Sequence, residues 1–189
     1  MKKIAVLGDI GSGKSYVAKS FGYPVFNADY EVSKLYKKNK KIFLKLKKIL
    51  PKFFKSFPID KSQVQKAILD NNQNLKKIIK IVHFEIRKKM KIFLRKNKNK
   101  KIVLLDIPLL LENKINSKHD ILVFVQSKKK DILKKLKKRK NFSFKLLTIF
   151  KDIQLSLAYK RKKSQFIIIN NFTSKSVKKS IKSILRKIL

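Results

Sequence analysis

Five short apolar runs recur along the chain and predict the strands of a β-sheet. Most of these runs are continuously apolar rather than alternating, as is typical of strands buried on both faces of a parallel sheet. The segments between them carry helical patterns, so strands and helices alternate along the sequence. The pattern therefore predicts an α/β fold with a parallel sheet, whose strands are expected at residues 3–7, 24–26, 101–106, 121–126 and 165–169.

The predicted helices follow from apolar residues that recur about every 3.6 positions. The last segment carries lysines opposite an apolar stripe, which indicates a helix packed on the sheet, with the stripe at Val177, Ile181, Ile184, Leu185 and Ile188. A longer stripe over 75–94 and a shorter helix over 62–69 lie in a segment too long for a simple crossover. We expect one domain with a core at 1–29, 100–127 and 164–189, a helical insert at about 30–99 and a second helical region at about 128–163.

One loop holds three of the four glycines in the chain. The stretch GDIGSGKS at residues 8–15 lies between the first predicted strand and a helix predicted over 16–21. It fits the pattern GxxxxGK[S/T], in which glycines let successive backbone N–H groups point at a phosphate and the following helix favours an anion. A plain glycine-rich turn before a helix is the weaker interpretation, because strand, glycines, lysine and hydroxyl occur together.

The loop predicts the binding of a nucleoside triphosphate with magnesium. In such a loop Lys14 reaches the β- and γ-phosphates, and the Ser15 hydroxyl ligates the Mg²⁺ ion that bridges them. Tyr16 contributes its backbone amide at the start of the helix. The other expected contacts with ATP within the loop come from Gly8, Gly11, Ser12 and Gly13.

Length and composition limit the remaining possibilities. The 189 residues suit one domain with a proper core. The absence of cysteine excludes disulfides and thiolate metal sites, and two histidines cannot build a zinc site without carboxylates. No apolar run approaches the length of a membrane span, so we expect a soluble cytoplasmic protein.

The chain is strongly basic, with 51 Lys and Arg against 11 Asp and Glu and a formal net charge of +40. Such charge ordinarily suggests a nucleic acid or an anionic membrane as partner. The lysines, however, are spread along nearly the whole chain, and the densest group, from Lys134 to Lys140, is most simply a solvated helix face. We expect weak, salt-sensitive adhesion to nucleic acid and no specific nucleic-acid or membrane partner.

Further motifs, in register along nearly the whole chain, resemble the dephospho-CoA kinase family. Its phosphate loop reads GGIGSGKS, its DAD motif follows the second strand, and its HPxIR and DxPLLxE segments lie further on. The corresponding segments here are GDIGSGKS (8–15), NAD (27–29), HFEIR (83–87) and DIPLLLE (106–112). The last match is the most specific, because nothing general about phosphate-loop folds requires it. Arg139, Gln154 and Lys160 also keep the spacing of the family's lid residues, and Asn170 survives from its closing ADxVIDN.

The resemblance implies a phosphate-loop kinase fold, with the insert at 30–99 as a substrate-binding subdomain and the region 128–163 as a lid. It implies transfer of the ATP γ-phosphate to the ribose 3'-hydroxyl of dephospho-CoA, with ATP and Mg²⁺ required. Asp29 would act as the base and Arg139 would stabilise the transferring phosphoryl group together with Lys14. Asp106 would support Mg²⁺ through water, and Asn170 would contact the nucleotide.

The acceptor substrate would contact four residues: His83, Arg87, Pro108 and Leu109. From the residues alone, the favoured interpretation of Asp29 is the N-cap of a helix that begins at Tyr30. Asp106 is alternatively a turn residue, although the four apolar residues before it favour function, and His83 is alternatively a packing residue. Arg87, one turn beyond His83, favours an anion-recognition pair.

Three positions depart from the family's pattern: Asp9, Asn27 and Phe84. Asp9 places a carboxylate beside the phosphates, so its replacement by glycine is expected to lower the KM for ATP. Two alternatives remain beside the main reading: another small-metabolite or nucleotide kinase, and a degenerate, basic nucleic-acid-binding protein. The second would need aromatic residues interleaved with cations on one surface.

Overall fold

The computed structural model describes residues 1–139 and 142–189, so Lys140 of the cation-rich segment lies outside the described residues. Five parallel strands form one sheet in the order β2-β3-β1-β4-β5. The predicted α/β fold with a parallel sheet is confirmed, and each predicted strand agrees with the structure to within one residue at either end. The strands are β1 (Lys2–Gly8), β2 (Val25–Asn27), β3 (Ile102–Asp106), β4 (Ile121–Gln126) and β5 (Phe166–Ile169).

Helices connect the strands in the described part of the chain except between β3 and β4, where residues 107–120 form turns. The expectation that helices fill every gap between strands is therefore wrong at this connection. The helices are α1 (Lys14–Ser20), α2 (Ala28–Lys38), α3 (Lys40–Ile49), α4 (Lys61–Asp70), α5 (Gln73–Lys96), α6 (Lys129–Lys137), α7 (Phe144–Asp152), α8 (Leu157–Lys163) and α9 (Ser174–Ile188). None of these helices combines the length and the apolar character that crossing a lipid bilayer requires.

The chain forms two compact units. The sheet unit comprises Met1–Asn27, Asn97–Phe142 and Phe150–Leu189, and the helical unit comprises Ala28–Lys96 and Ser143–Ile149.

The core of the sheet unit lies where α1 and α9 pack on the strands and on each other. The predicted stripe of α9 is buried at Val177, Ile181, Ile184 and Ile188, and Leu185 packs against the same core. Each such side chain contributes about 1.5–3 kcal/mol relative to exposure. The lysines of α9 face solvent, as the sequence pattern predicted.

The helical unit is organised around α5, which contacts α2, α3 and α4. Its buried residues include Leu75, Ile78, Val82 and Ile86, the stripe that the sequence predicted. Side-chain caps define where two of the shorter helices begin. Asn39 Oδ1 accepts the Ile42 N–H at 3.1 Å at the start of α3, and Asp60 forms a capping box with Gln63 at the start of α4.

Candidate active site

The carboxyl ends of all five strands meet at one edge of the sheet, where glycine and polar residues replace the apolar ones. Gly8 ends β1, Asn27 ends β2 and Asp106 ends β3. Ser127 follows β4, and Asn170 follows β5. Ligands of open parallel sheets bind at this edge, so the fold itself brings these residues to a candidate site.

The glycine loop after β1 adopts a backbone conformation that leaves no room for side chains at its three glycines. Gly8 and Gly13 have φ angles of 146° and 89°, which favour glycine. A Cβ atom at Gly8 would lie 2.5 Å from the Val125 carbonyl oxygen, and one at Gly13 would lie 2.3 Å from Asn170 Nδ2. A Cβ at Gly11 would lie 2.9 Å from the side chain of Leu136 in α6. All three glycines are therefore required by their surroundings.

Two side chains from neighbouring strand ends hold the middle of this loop. Ser12 is fully buried, and its carbonyl oxygen accepts hydrogen bonds from Asn170 Nδ2 at 2.8 Å and Ser127 Oγ at 3.0 Å. Asn170 is also fully buried, and its side-chain amide contacts the loop. Sequence reasoning missed Ser127. The available signal was a hydroxyl residue directly after a strand, at the edge where ligands bind.

Lys14 lies over the loop that precedes it. Its Nζ donates hydrogen bonds to the carbonyl oxygens of Asp9 at 2.8 Å and Gly8 at 3.2 Å. The first helical bond of α1 runs from the Val17 N–H to the Gly13 carbonyl at 3.0 Å. The amides of Lys14, Ser15 and Tyr16 thus precede the helical ladder, and Ser15 and Tyr16 are exposed. A triphosphate fits these donors.

Asp9 directs its carboxylate at the loop's own backbone. Its Oδ1 accepts the Ile10 N–H at 2.7 Å, and its carbonyl oxygen accepts the Ser12 N–H at 3.1 Å. The side chain is half-buried. The charge that replaces the family's second glycine therefore stays beside the phosphate-binding segment and satisfies one of its amides.

Asp106 is buried at the end of β3, opposite Asn27 in the β2–β3 register. Its Oδ2 accepts a hydrogen bond from Asn27 Nδ2. The departure from the family's aspartate thus places a neutral donor beside Asp106. No three His, Asp or Glu side chains within 1–139 and 142–189 converge on a metal site. The donor set fits Mg²⁺, which typically takes one or two protein ligands together with substrate phosphates.

Asp29 lies in the first turn of α2 and is exposed. The helix begins at Ala28, directly after β2. The alternative in which Asp29 is the N-cap of a helix from Tyr30 is therefore wrong, because the residue lies inside the helix. A carboxylate in this turn is favoured by the positive end of the helix.

His83 and Arg87 lie one turn apart on α5 in the helical unit. His83 is half-buried and Arg87 is exposed. Burial, and secondarily the positive charge of Arg87, hold the pKa of His83 below its usual 6.5. The imidazole is therefore neutral at neutral pH. Phe84, where the family has proline, is 57% exposed, and Lys88 Nζ lies 4.3 Å from its ring centre.

The lowered pKa of His83 predicts a pH-dependent stability. The folded protein binds this proton more weakly than the unfolded chain, so the free energy of unfolding falls as the pH drops below 6.5 toward the lowered pKa. Urea unfolding between about pH 7 and pH 5 should show a shallower loss of stability in His83→Gln than in the wild type. Equal slopes would contradict the prediction, and His119 serves as an internal constant because both proteins retain it.

The segment after β3 carries the rest of the acceptor signature. Pro108 and Leu109 are half-buried. Glu112 Oε1 pairs with Lys160 Nζ at 2.7 Å and accepts the Leu155 N–H at 3.1 Å, and Gln154 Oε1 accepts from the same Nζ at 2.8 Å. Lys160 is 1% exposed. Lys160 therefore contacts both Gln154 and Glu112, so two of the three residues with the family's lid spacing lie in one cluster with the glutamate of the DIPLLLE segment.

Arg139, the third residue of that spacing, lies outside this ion-paired cluster. It is exposed directly beyond the end of α6, where its backbone N–H donates to the Leu136 carbonyl at 3.0 Å. An exposed guanidinium at a helix end is accessible to an anionic ligand.

A parallel sheet with a lysine-bearing glycine loop after its central strand and an acid at the end of the adjacent strand defines a P-loop protein that binds a nucleoside triphosphate. Residues 3–176 match the family model described as "Dephospho-CoA kinase". The chain belongs to the dephospho-CoA kinase family. It is similar to the dephospho-CoA kinase of Wolbachia pipientis wMel, with 35% identity over 96% of this chain and 95% of that one. It is 30% identical to that of Bartonella henselae, over 100% and 99% of the two chains.

Solved structures share the fold. A Thermus thermophilus protein superposes with a TM-score of 0.75 and 22% identity, covering 100% of this chain and 98% of that one. A dephospho-CoA kinase from Campylobacter jejuni gives 0.63 and 23% over 99% and 97%. A shikimate kinase from Bacteroides thetaiotaomicron gives 0.53 and 12% over 98% and 97%. The predicted P-loop kinase fold is confirmed.

Proposed function

We propose that the chain transfers the γ-phosphoryl group of ATP to the ribose 3'-hydroxyl of dephospho-CoA, releasing ADP and coenzyme A. Membership in the family over residues 3–176 carries this proposal. The glycine loop supports a triphosphate donor, and the DIPLLLE segment at 106–112 supports the particular acceptor. No feature of the described residues favours another kinase activity on the same fold.

The glycine loop holds ATP. Its backbone amides and Lys14 bind the β- and γ-phosphates, and the buried bonds from Ser127 and Asn170 to Ser12 keep the loop in shape before ATP arrives. Bound Mg²⁺ would neutralise charge on the β- and γ-phosphate oxygens. Ser15 would hold this ion directly and Asp106 through water, with Asn27 orienting the Asp106 carboxylate.

Phosphoryl transfer requires a base for the attacking hydroxyl. The ribose 3'-oxygen forms a bond with the γ-phosphorus as the bond from that phosphorus to the β–γ bridging oxygen breaks. The hydroxyl proton passes to the carboxylate of Asp29, which is exposed and therefore accessible to a substrate. Arg139 and Lys14 offset the charge on the transferring group. ADP leaves with the bridging oxygen.

Four residues are proposed to contact the acceptor: His83, Arg87, Pro108 and Leu109. Arg87 pairs with an anionic group of dephospho-CoA, and His83, neutral at neutral pH, offers one donor and one acceptor to it. Pro108 and Leu109 supply half-buried apolar surface beside Asp106 in the sequence.

A direct assay tests the reaction. ADP release is measured with MgATP and either dephospho-CoA, AMP or adenosine as acceptor, and the product is examined by mass spectrometry. Turnover confined to dephospho-CoA, with one phosphate added, supports the proposal. Turnover with AMP or adenosine but not dephospho-CoA would replace it with a nucleotide or nucleoside kinase.

Replacing Asp9 by asparagine is expected to lower the KM for ATP about fivefold. The substitution removes about 1 kcal/mol of like-charge repulsion beside the phosphates, while the side-chain oxygen can still accept the Ile10 N–H. Steady-state kinetics at saturating dephospho-CoA measure the change, and Asp9→Gly should act in the same direction. Asp152→Asn, which neutralises an exposed acid on α7, should leave KM unaltered. An unchanged or raised KM in Asp9→Asn would refute the expectation.

A further inference from the structure

Phe172 has an unusual backbone conformation in the loop between β5 and α9. Its φ angle is 63°, in the left-handed region that bulky side chains rarely adopt. Such a conformation persists only where the surrounding structure holds it, and it concentrates at ligand-binding positions. The ring is only half-buried, so filling the core does not account for an aromatic residue here.

Hydrogen bonds fix Phe172 to the glycine loop. The Phe172 N–H donates to Asn170 Oδ1 at 2.9 Å, and the same Asn170 side chain donates through Nδ2 to the Ser12 carbonyl at 2.8 Å. On the other side, Asn171 Oδ1 accepts from Thr173 Oγ1 at 2.7 Å. The backbone that carries the ring is therefore connected to the phosphate-binding segment through a single buried amide.

The ring lies beside the loop together with a cation. A Cβ atom at Gly13 would lie 3.5 Å from Phe172 Cε1, so the ring edge borders the loop where it enters α1. Lys135 Nζ, from α6, lies 5.4 Å from the centre of the ring. The loop is thus bordered by a partly exposed aromatic surface and a positive charge. A nucleoside triphosphate presents the matching groups, because a single ribose joins its flat base to its phosphates.

We propose that Phe172 is the stacking surface for the adenine base of ATP, with Lys135 holding the ring from one side. The inference rests on the proposed function, because it requires ATP in the glycine loop. It adds a contact with the base, whereas Lys14 and the loop amides contact only phosphates. The left-handed backbone at Phe172 is then the conformation that directs the ring toward the nucleotide.

The test compares ligands with and without a base. Isothermal titration calorimetry measures the binding of ATP and of inorganic tripolyphosphate to the wild type, Phe172→Asn and Phe172→Tyr. Asparagine tolerates the left-handed backbone but lacks an aromatic face. We expect Phe172→Asn to weaken ATP about tenfold and to leave tripolyphosphate unchanged. Phe172→Tyr should bind both ligands as the wild type does.

Three results would overturn the inference. ATP binding in Phe172→Asn equal to that of the wild type would show that the ring makes no contact with the base. Equal weakening of ATP and tripolyphosphate would show that Phe172 acts on the loop instead. Absence of binding of either ligand to the wild type would overturn the inference and the proposed function together, whereas the first two leave phosphoryl transfer to dephospho-CoA standing.

Discussion

Replacement of Asp29 by asparagine is expected to reduce kcat for phosphoryl transfer by roughly 10²–10⁴-fold, the range typical for loss of a positioned acid or base. Asparagine has nearly the same shape, but its amide cannot take the proton of the attacking hydroxyl. Binding of ATP depends on the glycine loop, so the KM for ATP should change little. Steady-state and single-turnover rates with dephospho-CoA measure the loss.

Glu31 provides a matched control for this substitution. Both acids lie in the first turn of α2, so Glu31→Gln removes the same charge from the same helix end. Glu31 also pairs with Lys34 at 3.3 Å and Lys89 at 3.2 Å. Glu31→Gln should therefore lower the thermal midpoint while retaining full kcat. A similar loss of kcat in both variants would mean that the charge acts through α2 and would exclude Asp29 as the base.

The strands could be predicted to within one residue because each is an uninterrupted apolar run between polar neighbours. The start of α2 could not be predicted from Asn27-Ala28-Asp29. In this sequence Asn27 could end the strand, Ala28 could belong to a linker, and Asp29 could be the N-cap of a helix that begins at Tyr30. In the structure β2 ends at Asn27 and the helix begins at the next residue, Ala28. The spacing of apolar residues does not locate this junction, because a three-residue strand is too short to show a period of its own.

The residues of the glycine loop could be predicted from a local sequence motif. The contacts that the loop makes with other segments depend on how the strands are paired, which the sequence does not show. Ser127 reaches the Ser12 carbonyl because β4 pairs with β1 so that Val125 lies opposite Gly8. The sequence shows a hydroxyl residue directly after β4, but it does not show which carbonyl oxygen that hydroxyl reaches. The left-handed backbone conformation of Phe172 could not be predicted from the sequence either, because phenylalanine rarely adopts it.

Lys160 shows why composition alone could not identify the buried cation. It belongs to the run LAYKRKK of α8, whose other three cations are exposed. In a chain with 51 Lys and Arg, a solvated face is the natural interpretation of such a run. Only the three-dimensional arrangement places one of the four against Glu112 and Gln154.

Lys160→Met is expected to lower the free energy of unfolding by about 3–5 kcal/mol, because it leaves the Glu112 carboxylate buried without its counter-charge. Glu112 Oε1 would keep the Leu155 N–H, but Oε2 is already buried and hydrogen-bonds with no residue in the described ranges. Chemical denaturation followed by far-ultraviolet circular dichroism measures the loss. Lys162→Met makes the same substitution at an exposed position of α8, and it should change stability by less than about 0.5 kcal/mol.

A second substitution separates charge from packing. If the cost of Lys160→Met arises from the unpaired carboxylate, the double variant Lys160→Met/Glu112→Gln should recover most of the stability, because glutamine carries no charge to be desolvated. If the cost arises from the lost packing of the lysine stem, Glu112→Gln should add to the damage. Recovery would identify the Lys160–Glu112 pair as a neutralised unit that joins the segment after β3 to the start of α8, so that acceptor-signature and lid residues depend on one ion pair.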